Sequence, residues 1–138
     1  MKKYKQTYIP EVKRMPKVTC SAKLVASYYK EHIQGKTVVN KHTGLTIYFG
    51  SDGKAELAHG RATYSKKVAV LQCLPRLLEV AEYNNWGNRK KTDEKYVFGY
   101  ANFKAKVRID GKLECARITV VVKANGKAYY NHEISIKK

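Results

Sequence analysis

Residues 94–138, EKYVFGYANFKAKVRIDGKLECARITVVVKANGKAYYNHEISIKK, decide how the rest of the chain is read. Three β-strand runs, Tyr96 to Ile109, Lys112 to Ala124 and Lys127 to Ile136, are separated only by Asp110-Gly111 and Asn125-Gly126. Asp-Gly and Asn-Gly supply the positive φ angles that a tight turn matched to strand twist requires, and β-branched and aromatic residues flank both. The expected product is an antiparallel meander with Lys112 to Ala124 in the middle.

Successive side chains of a strand point to opposite faces, so the register decides what the meander displays. A two-residue loop at Asp110-Gly111 sets Ile109 opposite Lys112, Val107 opposite Glu114, Ala105 opposite Ala116 and Phe103 opposite Ile118. One face then carries Phe103, Ala105, Val107, Ile118, Val120 and Val122 and reads as core. The other collects Lys104, Lys106, Arg108, Arg117, Thr119 and Lys123, a set that is stable only in water or against a polyanion. For the last strand two registers are open. A two-residue loop at Asn125-Gly126 sets His132 opposite Thr119 on the basic face, and a three-residue loop with a bulge at Gly126 sets it opposite Ile118 on the core face. The first is favoured because it puts a titratable group among cations.

The bulk numbers narrow the class. At 138 residues the chain is one domain with room for a real core. Lysine and arginine number 28 against 11 acidic residues, a net charge of +17. That excess points to nucleic acid, since neutralising phosphates releases counterions and supplies sequence-independent affinity. No uncharged stretch approaches the roughly 18 residues of a spanning helix, so no membrane partner is expected. The start MKKYKQTY has no apolar centre of a secretory signal. Cys20, Cys73 and Cys115 are widely spaced, which argues against a disulfide framework or a zinc site and for a reducing, cytoplasmic setting. His32, His42, His59 and His132 are scattered without metal-ligand spacing, and no metal or cofactor is expected.

Ahead of the meander, residues 1–18, with Pro10 and Pro16 among basic residues, read as an arm without regular structure, and residues 19–138 as a single α+β domain. Thr19 to Ile33 reads as a helix with Ser21 as N-cap, an apolar stripe through Leu24, Val25, Tyr28, Tyr29 and Ile33, and Gly35 as its end. Thr37 to Val39 and Leu45 to Phe49 read as strands around the turn Asn40-Lys41-His42-Thr43-Gly44, and Ala55 to His59 as a strand or the lead-in to a helix. Lys67 to Asn84 reads as a long helix with Val68, Leu71, Leu74, Leu78 and Ala81 on one face, kinked or restarted at Pro75. NNWGNRKKTD, residues 84–93, reads as a polar loop carrying Trp86, Arg89, Lys90 and Lys91. The expected fold is therefore α+β: an N-terminal helix, a short hairpin, a long helix, then the antiparallel meander with helices on one face and the other face open.

Common nucleotide, zinc and serine-hydrolase motifs are absent, and the acidic residues are too dispersed for a two-metal nuclease. If the chain cuts nucleic acid, a metal-independent route fits best. In RNA the 2′-hydroxyl attacks the adjacent phosphate, and the protein supplies a general base, a general acid and cations for the charged transition state. His132 and His59 are the candidate proton carriers, although a lone histidine is also explained by one structural hydrogen bond. Arg117 is the candidate transition-state cation, with Lys104 as its cross-strand neighbour. Lys104, Lys106, Arg108, Lys123, Arg89 and Lys90 are candidate phosphate contacts. Thr119 is placed to bond a phosphate or orient His132. Tyr130, with Tyr129 and Trp86, offers rings on which bases stack.

GKTVVNKHTGLTIYF, then VLQCLPRLLEVA, then FKAKVRIDGKLECARITVVVKANGKAYYNHEI resemble, over residues 35–136, the nuclease-like domains of large phage and mobile-element polyvalent proteins. Those domains are grouped with the barnase, EndoU, colicin and RelE superfamily of metal-independent RNases. The resemblance implies a helical N-terminal half on a four-stranded antiparallel sheet and an RNA site on the open sheet face. It also implies cleavage to a 2′,3′-cyclic phosphate, with His59 and His132 matching the family's histidines and Arg117, Thr119 and Lys104 as supporting residues. An endoribonuclease of toxin type, opposed by an acidic immunity or antitoxin protein, is the resulting expectation. The alternative is a non-enzymatic nucleic-acid-binding or phage-encoded inhibitory protein using the same basic face.

Overall fold

The computed structural model describes residues 4–14, 22–50, 64–91, 95–130 and 134–137. Its strands are β1 (Glu11–Val12), β2 (Thr37–Val39), β3 (Thr46–Tyr48), β4 (Glu82–Asn88), β5 (Val97–Ile109), β6 (Lys112–Lys123), β7 (Ala128–Tyr129) and β8 (Ile134–Lys137). Its helices are α1 (Ala22–His32), α2 (Tyr64–Leu71) and α3 (Leu74–Val80).

The Asp110-Gly111 turn forms as its residues demand, with φ of 54° at Asp110 and 79° at Gly111. The pairing that follows is the one read from the sequence, from Ile109 opposite Lys112 to Phe103 opposite Ile118, and it continues to Gly99 opposite Val122. Every second residue of the hairpin is therefore committed to one face. Phe103, Ala105, Val107, Ile118, Val120 and Val122 are buried against Leu71, Leu74, Leu77 and Leu78. Each large apolar side chain so enclosed contributes about 1.5–3 kcal/mol. Glu114 also lies on this face, 5% exposed, where Lys66 of α2 meets it at 3.2 Å.

The architecture is not the expected one. The described strands form one mixed sheet that curls into a half-barrel, ordered β1-β5-β6-β7-β3-β2, with β4 also on β5 and β8 also on β6. Strand outweighs helix, the first described element is a strand, and two pairings, β1 with β5 and β3 with β7, are parallel. The helix-first α+β layout with a C-terminal antiparallel meander is thereby overturned.

Three local causes account for the difference. The long helix stops early: α2 ends at Leu71, Pro75 occupies the first turn of a restarted α3, and Ala81 is extended at φ −63°, ψ 148°. Glu82–Asn88, read as helix end and polar loop, is then free to pair antiparallel with β5, with a bulge at Asn84. Trp86 lies across Gly99 there, and a Cβ on Gly99 would collide with its indole. Second, the last strand is split. Gly126 adopts φ 87°, its N–H donates to Lys123 O, and Val121 pairs with Tyr129 across a three-residue loop. The favoured two-residue loop is thus excluded. Continued, this register would set Ile118 opposite residue 132, yet Ile118 pairs with Ile134, a slip of two residues. An even slip preserves the face, so Ile134 and Ile136 follow the parity of Ala128 and Tyr130. Third, the N-terminal arm is not wholly irregular. Pro10 O accepts from Arg108 N, Val12 O from Asp110 N, and the Gln6 amide closes both backbone groups of Lys106 at 2.7 and 2.8 Å.

The β2–β3 hairpin is pinned to α3 by Asn40, which is fully buried. Its Nδ2 donates to Leu78 O and Ala81 O at 2.7 and 2.9 Å, capping the helix end, and its Oδ1 accepts from His42 N, Thr43 N and Thr43 Oγ1. Burial also pushes the Cys73 thiol up to about 12, so it stays protonated at neutral pH.

Two outcomes follow. Asn40→Leu strands several backbone groups at once and is expected to cost about 3 kcal/mol in a urea unfolding titration; a loss no larger than that of a surface substitution would contradict the role given to Asn40. The Arg14 side chain and backbone N–H both bond the Asp110 carboxyl, holding it below its ordinary value of 3.8. A carboxyl lowered in the folded state stabilises above its ordinary value and loses that contribution as pH falls through the lowered one. Arm docking should therefore hold at pH 5 and loosen towards pH 2, seen as faster amide exchange at Arg108 and Asp110. Asp110→Asn, which tolerates the same turn, should weaken docking at neutral pH and flatten that acid dependence.

Candidate nucleic-acid interface

The outer face of the β5–β6 hairpin presents, in adjoining rows, Asn102, Lys104, Lys106 and Arg108 from β5 and Cys115, Arg117 and Thr119 from β6. Residues two apart on a strand recur every ~6.8 Å, a spacing comparable to the repeat of an extended phosphodiester chain. Lys106, Arg108 and Arg117 are exposed, and among the described residues none of them is in an ion pair.

Lys104 and Arg117 stand directly opposite each other, as expected. Like charges so placed repel. The relief comes from Glu82 of β4, whose Oε2 lies 3.2 Å from Lys104 Nζ. This carboxylate went unseen in the sequence because Glu82 reads there as helix. A groove of about 660 Å³ opens between the arm and this part of the sheet, lined by Tyr4, Gln6, Glu82, Lys104, Lys106 and Cys115. Tyr4 closes it by stacking on His42 at 4.3 Å and donating to Val80 O at 2.7 Å.

Beside the Lys104–Arg117 pair runs a ladder of polar side chains across three strands. Thr119 Oγ1 donates to Asn102 Oδ1 at 2.6 Å, and Asn102 Nδ2 donates to Asn85 Oδ1 at 2.9 Å. With Arg117 they line a recess of about 290 Å³. The hydroxyl hydrogen of Thr119 is thus engaged by Asn102. The ladder was missed because residues 84–93 read as loop. Its signal was Asn102 itself, a polar residue in step with the cations of β5.

Other nominated residues are placed elsewhere. Tyr130 is 0% exposed, packed on Phe49 at 5.8 Å and Tyr29 at 6.4 Å, and so presents no ring to a base. The three-residue loop put it on the core face. Lys123 Nζ lies 4.3 Å from the Tyr129 ring and 5.0 Å from that of Tyr96, so its charge is already engaged. Arg89 and Lys90 are exposed but follow the end of β4 opposite Gly99. Five residues of strand, about 17 Å, separate that point from Lys104. Trp86, 40% exposed, forms with Phe98 at 5.7 Å an aromatic patch at the same end. His59 and His132 lie outside the described residues.

Among the described residues no group of three or more His, Cys, Asp or Glu is placed to hold a metal ion, and no helix is long and apolar enough to cross a membrane. No curated protein and no solved structure matches the chain significantly. The model of one family, large polyvalent protein-associated domain 3, matches residues 21–130. The chain belongs to that family, and so to the polyvalent-protein context of phages and mobile elements.

Proposed function

We propose that this polyvalent-protein domain binds nucleic acid as a single strand along the outer face of β5 and β6. The observation that carries the reading is the row of Lys106, Arg108 and Arg117, exposed and without a carboxylate partner among the described residues, in a chain of net charge +17. Cations in that state gain free energy by displacing counterions from phosphates. At the far end of the hairpin the exposed ring of Tyr96, beside Lys123 of the same face, offers a surface on which bases stack without regard to sequence. An acidic immunity or antitoxin protein would compete for the same cations.

A second reading, cleavage of RNA without metal, is favoured by the recess in which Arg117 stands beside Thr119 and Asn102. There a guanidinium would stabilise charge on an attacked phosphate, with His132 and His59 as the proton carriers nominated from the sequence.

One experiment separates the two. Fluorescence anisotropy with an oligoribonucleotide, over a series of salt concentrations, should give a log–log slope that falls by about 0.7 in Lys106→Ala, Arg108→Ala or Arg117→Ala. A slope unchanged in all three contradicts the proposed face. The same RNA recovered intact in EDTA supports binding alone. EDTA-resistant fragments that vanish in His132→Ala or His59→Ala would establish the second reading.

A further inference from the structure

The polar ladder has a direction. The Thr119 hydroxyl hydrogen goes to Asn102 Oδ1 and one Asn102 Nδ2 hydrogen goes to Asn85 Oδ1, so both amide oxygens are turned to neighbours within the ladder. Asn102 Oδ1, Asn85 Oδ1 and Thr119 Oγ1 each keep a lone pair, yet the larger set left over is of donors: the Asn85 amide hydrogens, the second Asn102 N–H and the guanidinium of exposed Arg117. The recess they line adjoins the end of the cation row, one strand repeat beyond Lys104.

A strand whose phosphates follow Arg108, Lys106 and Lys104 therefore brings a nucleobase to a set of donors. At the position that distinguishes them, C4 of a pyrimidine and C6 of a purine, cytosine and adenine carry an amino group, itself a donor, and meet this set badly. Uracil and guanine offer carbonyl oxygens, and guanine's O6 and N7 suit an arginine fork. We infer that the Asn85–Asn102–Thr119 recess reads one nucleobase by its carbonyl edge, which gives an otherwise sequence-blind surface a preference for keto over amino bases. The inference rests on the nucleic-acid reading above and specifies its substrate.

The test compares oligouridylate with oligocytidylate of equal length, two pyrimidine strands with the same charge that differ at O4 against the N4 amino group. Anisotropy titrations should give the uridylate about tenfold tighter binding. Asn85→Asp replaces the projecting amide donor with an acceptor while still accepting from Asn102, and Asn85 is exposed, so the fold is not at risk. Its added negative charge weakens both ligands alike, and the ratio of the two dissociation constants is the readout. That ratio should collapse towards one or invert in favour of cytidylate. Equal wild-type affinities for the two strands, or a preference that survives Asn85→Asp, would overturn the inference and leave the nucleic-acid reading standing. Failure to bind either strand would remove both.

Discussion

The registered pairing of β5 with β6 is the constraint on which the rest depends. Asp110 and Gly111, with their two positive φ angles, set where the strands begin to pair, and from there the alternation of side chains leaves no freedom. A slip of one residue would turn one strand over against the other, driving either Lys104, Lys106 and Arg108 of β5 or Arg117 of β6 into the core and the apolar residues of that strand into water. Apolar burial on one face and the charge on the other therefore enforce the same register. Asp110 serves this arrangement twice, since the residue that shapes the turn also binds Arg14 and ties the N-terminal arm to the β5 edge.

Around that hairpin the sheet grows by backbone bonds at its two edges. β4 and the arm share the edge of β5, and β7 and β8 share the edge of β6. The parallel contact of β7 with β3 then closes the curl and carries the β2–β3 hairpin round to α3, where Asn40 fastens it. This geometry encloses Tyr130 with Tyr29 and Phe49 and leaves the cationic side outside. Glu82 has a specific place in it: one carboxylate, held by β4, allows two cations to face each other across the hairpin.

How much of this was legible follows the range of the interactions. The β5–β6 register, the restart at Pro75 and the turn at Asn40 to Gly44 are local, and their residue types announce them. Strand β4 is not. Asn84, Asn85, Gly87 and Asn88 have little strand preference and no apolar alternation, and they pair because β5 offers an edge and Gly99 leaves room for Trp86. The parallel pairs join segments far apart in sequence, which no periodicity reveals. The same division holds for the candidate site: the cation row was visible as a period of two, whereas Glu82 and the Asn85–Asn102 bond waited on knowing that β4 is a strand. The favoured register after Asn125 failed because Gly126 takes a positive φ and Asn125 does not, which gives a three-residue loop in place of the tight turn.

The most direct test of the central claim is an amide chemical-shift titration of the ¹⁵N-labelled protein with a short oligoribonucleotide at moderate salt. The account predicts that the largest shifts fall on residues 102–108 and 115–119, with Asn85 beside them and α1 and α3 silent. Shifts confined to the helices or to the β2–β3 hairpin, with the outer face of β5 and β6 unmoved, would contradict it.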